Sequence, residues 1–174
     1  MLYVLCGPSK SGKTTVMNGV LAVKPDLFRL VTLTTRPPRA GEVDGVDYDF
    51  VSHVQYVALR DQGHIFQPIT YRGELYGIPY QRLHSCAERD SIGVLRPDIL
   101  PDLAVHVPVV GIYITMAETP PPYTPNDESI YDNAHYCTYH ILNWPGRIDE
   151  AVASVLEIMA RTTAAANATL GGRS

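Results

Sequence analysis

The chain has 174 residues, the size of one domain, and its 45% hydrophobic and 18% charged content excludes an intrinsically disordered chain. A net charge of −4 argues against a general nucleic-acid binder, whose domain is normally basic. Cys6, Cys86 and Cys137, an odd number without close pairing, point to a reducing compartment and no disulfide framework.

In chain order, residues 2–6 form a short apolar run closed by Gly7, which reads as a buried strand. Val16, Met17, Val20 and Leu21 then recur at helical spacing until Pro25 stops them. Strand, glycine turn and helix in that order open an α/β fold. Residues 29–34 are β-rich, and a polar loop with Pro37, Pro38, Gly41 and Gly45 follows. A strand at 48–51 precedes a helix capped by Ser52 and running to about Arg60. Extended segments are predicted at 65–71 and 75–76, a helix at 79–89, and strands at 91–95, 109–115 and 139–142. The proline-dense stretch 118–127 is a loop, with a helix resuming near Glu128. Ile148, Ala151, Val152, Val155, Leu156 and Met159 mark a final helix, and fraying is expected after Arg161. The N-terminus lacks the basic region of a signal peptide. The longest apolar stretch, 105–117, is interrupted by Pro108 and Gly111, so a cytoplasmic protein without a membrane partner is expected.

The residues Gly7-Pro8-Ser9-Lys10-Ser11-Gly12-Lys13-Thr14 satisfy G-x-x-x-x-G-K-[ST] in full. Glycines let successive backbone N–H groups converge on one anion, and the helix behind adds the positive end of its dipole. Lys13 is placed to reach the β- and γ-phosphates of ATP, and the Thr14 hydroxyl to ligate Mg²⁺. The candidate ATP site is residues 7–14 together with Thr15. A second anion site is suggested by Arg36 and Arg39, three residues apart on a proline-stiffened loop. His135, Cys137 and His140 lie close together but lack a fourth ligand, and they are not read as a metal site. Asn167-Ala168-Thr169 fits a glycosylation sequon, without meaning in the absence of secretion.

The stretch Thr34-Thr35-Arg36-Pro37-Pro38-Arg39-Ala40-Gly41-Glu42-Val43-Asp44-Gly45-Val46-Asp47-Tyr48, continuing to Ser52, closely resembles the acceptor-binding segment of the guanylate kinase family. The similarity extends to Tyr76-Gly77 and, more weakly, to 135–143 and the last helix. The resemblance implies a P-loop NTPase-type, three-layer α/β fold with a parallel sheet, a small acceptor-binding subdomain (about 32–80) and a short lid (about 116–135). These would lie within one domain of residues 1–165, followed by a flexible tail, 166–174. By the family pattern Arg36, Arg39, Tyr48 and Tyr76 would hold the acceptor's phosphate, and Thr32 would lie against its base.

Three positions depart from the family. Where it carries a glutamate that accepts two guanine N–H groups, this chain has Gln67, whose amide offers one acceptor and one donor face. Where it carries two aspartates spaced by one residue, this chain has Arg96 and Asp98. Asp98 remains a candidate for a magnesium-bound water, while Arg96 reverses the charge beside the acceptor. The family's lid arginines are missing, since residues 116–136 hold no Arg or Lys. Lys10, inside the P-loop, resembles in position the basic P-loop residue of those thymidylate kinases whose lids also lack a catalytic arginine, and is the candidate replacement. Lys13, Lys10, Arg36 and Arg39 are thus the expected catalytic cations. The expected activity is Mg²⁺- and ATP-dependent phosphorylation of a nucleoside monophosphate, GMP or dGMP first, by a monomer or homodimer. The alternatives are another acceptor (a pyrimidine or modified deoxynucleotide, or a ribose bisphosphate) and a catalytically weak binding module.

Overall fold

A computed structural model describes residues 1–117 and 132–171. Strand β1 (Leu2–Cys6) is the centre of a five-stranded sheet in the order β2-β7-β1-β8-β9, formed with Phe28–Arg29 (β2), Ser91–Val94 (β7), Val109–Met116 (β8) and Tyr139–Asn143 (β9). Every pairing in it is parallel. All five residues of β1 are buried, which explains its unbroken apolar run: a central parallel strand is covered on both faces.

Helix α1 (Lys13–Val23) covers one face together with the last helix, α5 (Ile148–Gly171). Val16, Val20, Val152, Val155 and Met159 join Tyr3, Leu5 and Ile112 in that core. Gly19 permits close approach of the two helices, because a Cβ there would meet Val152 Cγ2 at 2.6 Å. The opposite face is covered by α3 (Tyr80–Glu88) and α4 (Leu100–Ala104), through Leu83, Cys86, Leu100 and Leu103. These are the three layers and parallel sheet that the sequence implied.

Three details differ from the sequence reading. Residues 29–34 are not one strand: β2 ends at Arg29, and β3 (Leu33–Thr34) belongs to a second sheet. The last helix does not fray after Arg161 but continues to Gly171, so 166–171 of the expected tail are helical, in keeping with the high helix propensity of alanine. A short helical segment at 97–104, α4 with the 3₁₀ turn before it, was also not foreseen. Most of the expected lid, and the helix expected near Glu128, lie outside the described residues.

The second sheet has the order β4-β3-β6-β5, with Asp49–Phe50 (β4), Ile65–Tyr71 (β5) and Glu74–Pro79 (β6). It carries α2 (His53–Asp61), whose start is the expected Ser52: its hydroxyl accepts from the Gln55 N–H and Gln55 Oε1 accepts from the Ser52 N–H, a capping box. Arg72 and Gly73, at φ 52° and 82°, make the tight turn between β5 and β6.

Candidate active site

The loop between β1 and α1 turns back over the sheet edge by repeated use of left-handed backbone: Gly7 at φ 135°, Lys10 at 62° and Gly12 at 87°. Gly7 is obligatory on contact grounds, since a Cβ would stand 2.1 Å from the Ile114 carbonyl oxygen on β8. Alternation of this kind gathers N–H groups into an anion-binding nest at the start of α1. Asn143, buried at the end of β9, donates from Nδ2 to the Ser11 carbonyl at 3.0 Å and so ties the loop to the sheet. Lys13 folds over the loop, with Nζ donating to the Pro8 carbonyl at 2.5 Å and to Ser11 Oγ at 3.3 Å.

Across a gap stands the loop 35–48. Thr34 and Thr35 are buried, and their roles were invisible in the sequence: Thr34 Oγ1 accepts from the Arg36 N–H at 3.1 Å, and Thr35 Oγ1 donates to Glu74 at 2.7 Å. Glu42 organises both arginines. Its carboxylate accepts from Arg36 Nη2 at 2.8 Å and from the Arg39 N–H at 2.6 Å. The Arg36 guanidinium also lies over the rings of Tyr48 and Phe50, at 5.3 and 5.7 Å from their centroids. The hydrogen bond to Glu42 raises the Arg36 pKa further, and the same bond lowers that of Glu42. Burial pushes the Tyr48 phenol up, so it stays a neutral O–H donor, in edge contact with Tyr76 at 6.2 Å. The Arg39 guanidinium makes no hydrogen bond or ion pair among the described residues.

One cavity of about 380 Å³ joins the two sites. Gly7, Ser9, Lys13 and Thr14 line one end, and Thr32, Arg36, Arg39, Tyr48, Gln67, Tyr76 and Arg96 the other. Eleven residues from separate parts of the sequence therefore face one volume. Lys10 does not line it: the residue is exposed at the crown of the loop. Pro8, Ser11, Gly12, Thr15 and Asp98 also lie outside the lining. Arg29 and Asp47 were missed by sequence reasoning. Arg29 donates to Asn18 on α1 at 2.9 Å and to Asp47 in the acceptor loop at 3.1 Å, joining the two halves of the cavity wall. Nothing in the local sequence marked that pair, because β2 and the acceptor loop meet only in the fold.

A hard cation needs oxygen ligands. The exposed Thr14 hydroxyl, on the cavity wall and without a hydrogen-bond partner among the described residues, fits such an ion beside phosphates. Asp98 fits less directly, since Arg96 Nε and Nη2 engage its two oxygens at 3.0 and 2.9 Å. Cys137, between His135 and His140 in sequence, is buried beside Cys6, and among the described residues no three His, Cys, Asp or Glu side chains group as a metal site. Among the described residues, no helix is long and apolar enough to cross a membrane.

The family model described as guanylate kinase matches residues 1–107. The chain is similar to the guanylate kinase of Nostoc sp., 37% identical over 98 residues that cover 56% of this chain and 49% of that protein. It is also similar to that of Nitratidesulfovibrio vulgaris, 43% identical over 79 residues covering 45% and 38%. The chain thus spans about half the length of the curated relatives it matches, or less. Among solved structures, the guanylate kinase from Anaplasma phagocytophilum superposes with a TM-score of 0.67 at 23% identity, over 93% of this chain and 85% of that one, a likeness of fold.

Proposed function

Because the chain belongs to the guanylate kinase family, whose model spans residues 1–107, we propose that it transfers the γ-phosphoryl group of ATP to the phosphate of a nucleoside monophosphate, GMP or dGMP first. The observation that carries this reading is the single cavity with a backbone anion nest at one end and two arginines and two phenols at the other. Two phosphate groups bound end to end across it would meet in line.

The nucleophile is an acceptor phosphate oxygen, already anionic near neutral pH, so no general base is required. Catalysis then consists of positioning and charge neutralisation. The P-loop N–H groups and Lys13 hold the donor phosphates. Arg36 and Arg39 hold the acceptor phosphate, with Tyr48 and Tyr76 donating O–H groups to it and Thr32 against the base. Lys10 supplies the cation that relatives keep on the lid, by reaching the transferred group once the cleft closes. Magnesium bound with ATP would be held by the Thr14 hydroxyl, with Asp98 the candidate for one of its waters if Arg96 released it, and would supply charge neutralisation on the donor phosphates. Residues 1–165 act as one domain in which closure of 32–80 towards the P-loop excludes water from the transfer. The compartment implied is the cytoplasm.

Arg96, a cation on the cavity wall where the family has an aspartate, favours as a second reading an acceptor with additional negative charge, such as a ribose bisphosphate. A coupled ADP-release assay with ATP, Mg²⁺, a panel of ribo- and deoxynucleoside monophosphates, and ribose phosphates separates them. Turnover with GMP or dGMP is expected. Turnover with ribose phosphates alone establishes the second reading, and silence with every acceptor refutes both.

A further inference from the structure

Gln67 stands where relatives carry their base-reading glutamate, and here the side chain is held from behind. The register between β5 and β6 slips between Phe66 and Ile69, and at this bulge Gln67 takes a φ of 52°, immediately before Pro68. Bulges re-aim side chains, and a left-handed backbone at a residue bearing a Cβ is strained and persists only where the surroundings hold it. The Gln67 side chain lines the cavity, and its Nε2 donates to Asp102 Oδ2 on α4, thirty-five residues away in the chain and outside the cavity lining. An ionised carboxylate has no proton to give, so the amide can meet it only nitrogen first. The carbonyl oxygen Oε1 accepts no hydrogen bond from the described residues and is the end left for a ligand.

We infer that Asp102 is a specificity-determining positioning residue, which locks the Gln67 amide so that the base end of the cavity presents an acceptor. The preference presupposes the nucleotide acceptor proposed above. An unrestrained glutamine turns its amide over and serves donor or acceptor alike. With its nitrogen tied to Asp102, it takes a base whose ring nitrogen carries a proton: N1–H of guanine, or N3–H of uracil and thymine. Adenine, whose N1 is an acceptor, sets two lone pairs against each other and leaves both without a donor. Relatives read guanine through a charge. This chain would read the same N–H through a neutral amide whose orientation is set by a charge one step removed.

Asp102 is exposed and lies outside the cavity lining, so Asp102→Ala is expected to fold, and a thermal melt checks this. The test is calorimetric binding of GMP, UMP and AMP to the full chain and its D102A, Q67A and Q67A/D102A variants, beside the turnover assay. The expected result is that D102A weakens GMP and UMP by roughly tenfold, the scale of one hydrogen bond to a well-oriented group, and leaves AMP unchanged or tighter. In the Q67A background D102A should move no ratio, because nothing remains to orient. A Q67E/D102A chain, with a carboxylate that needs no orienting, should bind GMP at least as tightly as the wild type. Equal weakening of GMP and AMP by D102A, or a shift that survives in the Q67A background, would give Asp102 a merely structural role and overturn the inference. A wild-type chain that binds GMP but releases no ADP refutes the kinase reading while leaving the affinity ratios to decide this one. A chain that binds no nucleoside monophosphate refutes both.

Discussion

Replacing Arg36 with alanine removes two things at once. The acceptor phosphate loses at least one charge-assisted hydrogen bond, about 1.5–3 kcal/mol. Glu42, only 19% exposed and bonded to Arg36 at 2.8 Å, is left uncompensated beside the phosphate site. At about 4 Å a carboxylate repels a phosphate charge by roughly 1–4 kcal/mol, depending on how much water screens the pair. Together these predict a loss of roughly 3–5 kcal/mol, or about 10²–10⁴ in kcat/KM for the nucleoside monophosphate. The KM for ATP should change by less than about twofold, since its site is built from other elements. The repulsive share can be isolated. R36A/E42Q removes the stranded charge while the glutamine oxygen can still accept from the Arg39 N–H, so it should recover about tenfold over R36A. Arg36→Lys keeps the charge but not the planar fork over Tyr48, and should fall between wild type and R36A. Steady-state kinetics at fixed ionic strength, varying each substrate in turn, reads all of these. If R36A/E42Q were no better than R36A, or if R36A raised both KM values alike, the assignment of Glu42 and Arg36 to one acceptor clamp would be wrong.

Gly7→Ala places a Cβ 2.1 Å from a backbone oxygen of β8 at a φ of 135°, so urea denaturation should show a loss of about 3 kcal/mol or more, with ATP binding abolished. Gly41→Ala is the control: its φ is 87° but the space around it is open, so only backbone strain of about 1–2 kcal/mol is expected. Lys10→Ala should depress kcat far more than nucleotide affinity, and an unchanged kcat would remove Lys10 from the chemistry. Glu42 has its pKa lowered, first by the Arg36 hydrogen bond, from an ordinary value of 4.5. Such a carboxylate stabilises the fold above that ordinary value, and the contribution is lost as pH falls through the lower folded value. The difference in melting temperature between wild type and E42Q should therefore stay constant from about pH 8 to 5 and shrink below 4.5. A difference that grew on acidification would contradict the ion pair.

The P-loop was legible because its chemistry is local. Gly7, Gly12, Lys13 and Thr14 sit within eight residues, and the backbone conformations they permit are what make the nest. The apolar run of β1 and the spacing of Val16, Val20, Val152 and Val155 likewise marked buried faces without reference to the rest of the chain. Ser52 announced a helix start that formed as read, and the structure added Gln55 as the second half of its capping box. The split of 29–34 between two sheets was not legible, since both pieces are β-rich and only the partner strands distinguish them.

What the sequence settled by itself is the class of chemistry: which residues can gather an anion, and which segments must be buried. Those are short-range matters of backbone freedom and side-chain periodicity. Tertiary structure alone decided which groups share a space and which end of each group is offered. Arg29 meeting Asp47, Glu42 serving both arginines from the middle of its loop, Arg96 closing on Asp98, and Asp102 turning the Gln67 amide are outcomes of strand order and loop packing. A polar side chain's role depends on the direction of its partner, and direction exists only once the chain has folded.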